Sequence, residues 1–368
     1  SITATGCSKT NSVKVAFTPE TPVLSLPNGN CAGTAIINLS PAPELTSSIQ
    51  WKLNGSTVST VIATPGVSGI TVGGGNGYGS DPNQFDGPYQ VFLDNNGNIY
   101  VSDQYNYRVQ KWAPGALSGV SVAGGNGNGS DPDQLGYPAG IFVDASGNLF
   151  VADPENHRVQ KWAPGASTGV TVAGGNGDGS NANQLSFPHG VFVDDSGNVF
   201  VGDKNNDRVQ KWAPGATFGI TVAGGNGNGS DSTQLNIPQG IYLNDAGDIY
   251  IADTYNNRIQ KWAQGASYGV TVAGTGNFGF GSNELDNPTN IYVDTAGTLY
   301  IADYYNNRIQ KWAPGASSGI TVAGGNGYGN QANQLDGPSG VFVKGNDIYV
   351  ADTYNNRIQK WSPEVVTS

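Results

Sequence analysis

Asp94-Asn95-Asn96-Gly97-Asn98-Ile99-Tyr100-Val101-Ser102-Asp103-Gln104-Tyr105-Asn106-Tyr107-Arg108-Val109-Gln110-Lys111-Trp112 is the first of six near-copies of one stretch. The others end at the Lys-Trp pairs 161–162, 211–212, 261–262, 311–312 and 360–361, at steps of 50, 50, 50, 50 and 49 residues. A fixed period of this size implies a solenoid or a propeller, because one unit alone cannot bury its apolar face.

Each unit reads as four strands. From Pro138 onward, the apolar run Gly140 to Asp144 reads as a strand buried on both faces. Ala145-Ser146-Gly147-Asn148 reads as a hairpin turn with glycine where φ must be positive. Leu149 to Asp153, Arg158 to Trp162 and Gly169 to Ala173 supply the remaining strands, and the loop from Gly174 to Phe187 crosses to the next unit. Four antiparallel strands per unit make a propeller blade. The order of segments is informative. A fourth-strand segment, Gly69 to Val72, precedes the first three-strand set, whereas only Ser362 to Ser368 follow Trp361. The chain is therefore expected to divide into residues 1–65 and 66–368. The second part is expected to close as a ring, with the strand 69–73 pairing with the last blade, 338–361. Closure removes two sheet edges that would otherwise invite aggregation.

The repeated Asp-x-x-Gly-Asn-(Ile/Leu/Val)-(Tyr/Phe)-(Val/Ile)-x-Asp-x-x-Asn-x-Arg-(Val/Ile)-Gln-Lys-Trp resembles the NHL repeat. The preceding Gln-Leu-x-x-Pro-x-Gly, as at Gln184, Leu185, Pro188 and Gly190, matches it too. The resemblance covers roughly residues 66–361 and implies a six-bladed β-propeller. The fold class read from the sequence is all-β, with a small sandwich-like module ahead of the propeller. Residues 12–17, 23–26, 34–39, 48–53 and 57–63 of that module read as strands, with Asn54-Gly55 as a hairpin turn and Trp51 as the core aromatic. Cys31-Ala32-Gly33-Thr34 and Trp51-Lys52-Leu53-Asn54-Gly55 resemble the Ig-like modules of bacterial surface and secreted proteins.

Cys7 and Cys31 are the only cysteines. An even pair in a small strand-rich module reads as one disulfide formed in an oxidising compartment, with two separate thiols as the alternative. A bridge closing that loop would stabilise by roughly 3–4 kcal/mol. Ser1 opens within a strand-like stretch, which reads as the mature or excised part of a longer, multi-domain chain.

The net charge of −11 and the placement of the cations bear on partners. Every arginine occupies one repeat position: Arg108, Arg158, Arg208, Arg258, Arg308 and Arg357. Six of the lysines belong to the Lys-Trp pairs. Cations spread evenly among excess acid do not make the clustered surface that displaces counterions from a nucleic acid. No run of 18 apolar residues is present, so membrane insertion is not expected. The expected state is a monomeric unit on an acidic chain, extracellular or at a cell surface.

Repeated residues read first as scaffold. Asp103 and Arg108, with their equivalents, are expected to pin one tight turn, with Asn106 and its equivalents left-handed between them. The six Trp are expected to pack between blades. Each would bury about 200 Å², worth roughly 5 kcal/mol at most. Gly124 to Ser130 and its equivalents contain Gly-x-Gly-x-Gly but lack the helix and lysine of a phosphate cradle. Turn-making is the simpler reading. Ca²⁺ at Asn128, Asp131 and Asp133 is the alternative, and no cofactor or metal is expected.

Function should lie where the copies diverge on one rim. The residue after each blade-opening proline stands at the channel mouth, giving Tyr89, His189 and Gln239 in three copies. The next position is glycine in four copies but Gln90 and Asn290 in two. The turns between second and third strands add Tyr105, Tyr255, Tyr305 and Tyr354. Stacking faces with neutral hydrogen-bonding groups suit a glycan or a protein loop. A recognition module is therefore expected. A spacer without ligand is the first alternative, and a metal-assisted lyase or hydrolase the second. His189 is the only histidine at the mouth, so a three-histidine zinc site cannot form there, and no Gly-x-Ser-x-Gly elbow occurs. No enzyme activity is expected.

Overall fold

Six antiparallel four-stranded sheets account for residues 70–361. The structure, a computed structural model, describes residues 68–362. It also describes two paired dipeptides nearer the start: Ile2–Thr3 with Ser12–Val13, and Lys52–Leu53 with Ser56–Thr57. The chain clusters into two units, Ser1–Gly66 and Val67–Ser368. Beyond those dipeptides, the expected strands of the first unit, the sandwich-like module, Trp51 and the Cys7–Cys31 bridge lie outside the described residues.

In the first blade, strands Pro88–Leu93, Ile99–Asp103, Arg108–Trp112 and Val120–Gly124 lie side by side in chain order. The next four blades repeat that arrangement. The sixth sheet takes Pro338–Lys344, Asp347–Asp352 and Arg357–Trp361 from the end of the chain, and its outer strand is Ile70–Gly74 from the beginning. Arg357 faces Gly74 and Lys360 faces Ile70 in this clasp. The ring is thereby an all-β six-bladed propeller.

The second strand is buried along its whole length in blades 1 to 5, because it lies between two other strands and under two neighbouring blades. Each inter-blade layer holds one tryptophan. Trp162 of blade 2 packs with Tyr100, Val109 and Ala123 of blade 1, and Trp112 meets Ala351 and Ile358 of blade 6 across the closing seam. One glycine per blade makes room for that indole: a Cβ on Gly119 would come within 2.4 Å of Trp112 Nε1. The lysine beside each tryptophan turns outward. Its ammonium sits 5.3–5.9 Å from the centre of a second-strand Tyr or Phe ring in all six blades.

The repeated polar residues form a lock in each blade. Arg Nε donates to Asp Oδ2 at 2.6–2.8 Å, and all six carboxylates are fully buried. The guanidinium also reaches three carbonyls of the crossover loop, those of Ser80, Asp81 and Gln84 in the case of Arg108. Asp103 accepts in addition from the Asp86 N–H and from Asn106 Nδ2. Burial pushes these carboxyls above the ordinary carboxylate range, against the opposing pull of the arginine and the other donors. The Gly-rich loop is therefore fastened by its own backbone oxygens.

The asparagine of the lock is not the left-handed residue. Asn106 belongs to a 3₁₀ turn, Gln104–Asn106, and its amide bridges Asp103 to the Gly79 carbonyl. The left-handed residue is the next one: Tyr107, His157, Asp207, Asn257, Asn307 and Asn356, all with φ between 49° and 54°. That position latches blade to blade. Asp207, Asn257 and Asn307 accept from the backbone N–H thirty residues on, and Asn356 accepts from Gly87 to close the ring.

Candidate functional site

The rim that carries the crossover loops and the turns between second and third strands is uneven in chemistry. Blades 4, 5, 6 and 1 place Tyr255, Tyr305, Tyr354 and Tyr105 on these turns, each between half and two-thirds exposed. Blades 2 and 3 place Glu155 and Asn205 there. The crossover loops divide three to three, aromatic where they enter blades 5, 6 and 1 and polar where they enter blades 2, 3 and 4. Phe278, Tyr328 and Tyr78 are about three-quarters exposed, and their counterparts are Asn128, Asp178 and Asn228. An aromatic crescent thus covers four consecutive blades and a polar arc covers two.

At the channel mouth, Tyr89, His189 and Gln239 converge from blades 1, 3 and 4. Tyr89 Oη lies 2.5 Å from Gln239 Oε1 and 3.1 Å from His189 Nδ1. His189 Nε2 lies 3.3 Å from Lys204 Nζ. An ammonium can only donate, so Nε2 must accept and Nδ1 must carry the imidazole proton. Tyr89 Oη then accepts from Nδ1 and donates to Gln239, which orients the whole chain of bonds. Burial, aided by the Lys204 charge, holds His189 well below the usual imidazole range. Burial also lowers Lys204 and raises Tyr89.

About three residues further down the inner strands, Phe92, Phe142, Phe192, Tyr242, Tyr292 and Phe342 touch in a closed circle. Neighbouring ring centroids are 4.8–5.3 Å apart. A hexagon with such sides places each ring centre about 5 Å from the axis, within the range of ordinary aromatic pairs. Once the thickness of the rings is subtracted, the bore is too narrow for a sugar ring. The sequence reading missed this collar, although a Phe or Tyr at the same place in every inner strand announced it.

The remaining expected residues separate into two groups. Gln90 and Asn290 turn toward the adjacent blade, where their side-chain oxygens accept from the N–H groups of Ile141 and Val341. Tyr89, Tyr105 and Tyr354 instead line one pocket of about 260 Å³ at the seam of blades 6 and 1, joined by Tyr78 and Tyr304. Tyr255 and Tyr305 stand on the rim outside it. Tyr304 precedes Tyr305 on its turn and was not among the residues expected to form the site. Its ring lies 5.1 Å from that of Tyr305, and its hydroxyl is 2.8 Å from that of Tyr354.

Among the described residues, no three His, Cys, Asp or Glu side chains stand close enough to share a metal ion. At the Ca²⁺ alternative, Asn128 donates to Glu155, the Asp131 carbonyl accepts from Arg158 and the Asp133 carboxylate accepts from Asn126. These groups face three different partners. No helix among the described residues is long and apolar enough to cross a membrane.

Comparison with known proteins agrees with this architecture. Residues 135–162, 185–212, 235–262, 285–312 and 335–361 match the NHL repeat. The chain carries NHL repeats in a six-bladed β-propeller, and residues 85–112 complete the same blade pattern. No curated protein matches the sequence. Similar solved structures include an auxiliary nutrient binding protein from Bacteroides ovatus (15% identity, TM-score 0.57, covering 81% of this chain and 76% of that one). A gluconolactonase from Xanthomonas campestris is similar at 12% identity and TM-score 0.56, covering 76% and 87%. A virginiamycin B lyase from Staphylococcus aureus is similar at 12% identity and TM-score 0.51, covering 80% and 98%. At these identities the likeness is one of fold.

Proposed function

We propose that this chain is a recognition module of a secreted or cell-surface protein, and that its aromatic crescent binds a neutral glycan. The observation that carries the reading is the run of exposed tyrosines on four consecutive blades, set against Asn and acidic residues on the other two. A sugar ring offers C–H groups to an aromatic face and hydroxyls to neutral acceptors, and this rim supplies both. The crescent presents no lysine or arginine, which disfavours an anionic ligand. The narrow collar supports a ligand held on one face rather than threaded through the axis.

The similar structures include binding proteins and enzymes, so the rim chemistry has to support the choice. The two histidines and the six lock carboxylates serve the scaffold or the channel-mouth chain of hydrogen bonds, which favours binding over a metal-assisted lyase or hydrolase. A glycan array probed with the full chain tests the reading. Binding to neutral oligosaccharides that is lost in the triple variant Tyr105→Ala, Tyr305→Ala, Tyr354→Ala would support it. A blank array would leave the spacer role as the better account.

A further inference from the structure

We propose that the pocket at the seam of blades 6 and 1 is an aromatic cage for a methylated ammonium group, choline being the simplest ligand of that class. The inference rests on the reading of this rim as a contact surface, and it concerns the pocket that Tyr78, Tyr105 and Tyr354 of the crescent form with Tyr89 and Tyr304. Five phenol rings line the pocket: Tyr78, Tyr89, Tyr105, Tyr304 and Tyr354. The polar ends of three of them are already engaged. Tyr89 bonds to Gln239 and His189, and Tyr304 pairs with Tyr354. The rings are thus left to offer faces and edges rather than hydroxyls. One carboxylate, Asp86, also lines the pocket, and it has no ion-pair partner among the described residues. No lysine or arginine lines it.

That combination selects by charge. The face of an aromatic ring is negative and attracts a cation within about 6 Å of its centre, most strongly when the cation is desolvated. A quaternary ammonium leaves water more readily than a bare ammonium does. A phosphate or carboxylate would meet Asp86 with nothing to neutralise it.

The cage exists because two glycines occur in adjacent blades. The position before each blade-opening proline is left-handed in all six copies. It is Tyr137, Phe187, Ile237 and Asn287 in four blades, and Gly87 and Gly337 in the two that meet at the seam. A Cβ on Gly87 would fall 2.5 Å from the Tyr105 ring, and one on Gly337 would fall 2.7 Å from the Tyr354 ring and 3.3 Å from that of Tyr304. Three rings therefore lie over backbone that side chains cover elsewhere. Phe187 adopts the same left-handed backbone in blade 3, so Gly87→Phe has a precedent within the fold and should obstruct the cage.

Calorimetric titration of the full chain with choline, with its uncharged carbon analogue 3,3-dimethylbutanol and with phosphocholine tests the cage. Choline should bind about tenfold or more tightly than the uncharged analogue, the factor expected of a desolvated cation over aromatic faces. Phosphocholine should bind less well than choline. Gly87→Phe and, separately, Tyr354→Ala should each weaken choline by about tenfold or more, and the exposed Tyr354 variant guards against loss of folding in the first. Equal affinity for choline and 3,3-dimethylbutanol, tighter binding of phosphocholine, or a folded wild-type chain that takes up no choline would each overturn the proposal. The glycan array probes neutral sugars and the titration a small cation on the wild-type chain, so either can fail alone.

Discussion

Blades 2 and 3 share every internal lock with blades 4, 5, 6 and 1, yet the two arcs present opposite surfaces. Asp153–Arg158 and Asp303–Arg308 have the same geometry, with the same reach to the crossover loop. Above them stand Glu155 and Asn128 in one arc, and Tyr305 and Phe278 in the other. Repetition is held where a side chain must satisfy a buried partner. Divergence is widest at positions that only solvent or a ligand can test. The contrast puts the scaffold and the proposed recognition surface on different residues of the same 50-residue unit.

The comparison can be broken at the scaffold first. Arg158→Ala and Arg308→Ala each leave a buried carboxylate without its partner, and both should cost about 3–5 kcal/mol in urea unfolding. A marked difference between them would show that the two arcs are not built alike. The rim comes next. The triple tyrosine variant should reduce glycan capture by about tenfold or more, while Asn128→Ala, Glu155→Ala and Asn205→Ala together should leave it unchanged. Surface changes of either kind should move stability by no more than about 0.5 kcal/mol per site.

The channel mouth gives a pH signature. His189 is held neutral in the fold, whereas the unfolded chain takes up a proton at about pH 6.5. As pH falls through that value toward the depressed native pKa, the unfolded state binds more protons and stability declines. His189→Gln should flatten this part of the profile, measured as midpoint against pH between neutrality and the onset of carboxylate titration. A slope unchanged in the variant would place the titration elsewhere. A gain rather than a loss is expected at Ile237, a β-branched residue at φ 55°. Ile237→Asn should stabilise by about 1 kcal/mol in the same assay, by relieving that strain.

The six-fold frame was legible because its signals recur. Lys-Trp spacing gave the period, and the stray segment at Gly69 to Val72 predicted where the ring would close. The Asp–Arg turn was legible for the same reason. Its asparagine was misassigned by one position, because a 3₁₀ turn puts the left-handed kink after Asn106, where even Tyr107 must adopt it. Gln90 and Asn290 looked like mouth residues, since alternation along a strand does not say which side faces the axis and which a neighbouring blade. The tyrosine pocket was only half visible. Tyr89, Tyr105 and Tyr354 could be nominated singly, but their meeting depends on Gly87 and Asn356 touching across 269 positions of chain.

The clasp has a consequence for biogenesis. Ile70 finds its partner only when Lys360 has been made, 290 residues later. At typical elongation rates of about 5–20 residues per second, the first strand of the propeller waits on the order of 15–60 s beyond the ribosome with its pairing edge bare. An edge left bare for that long is an aggregation hazard during synthesis, one that the closed wheel no longer carries.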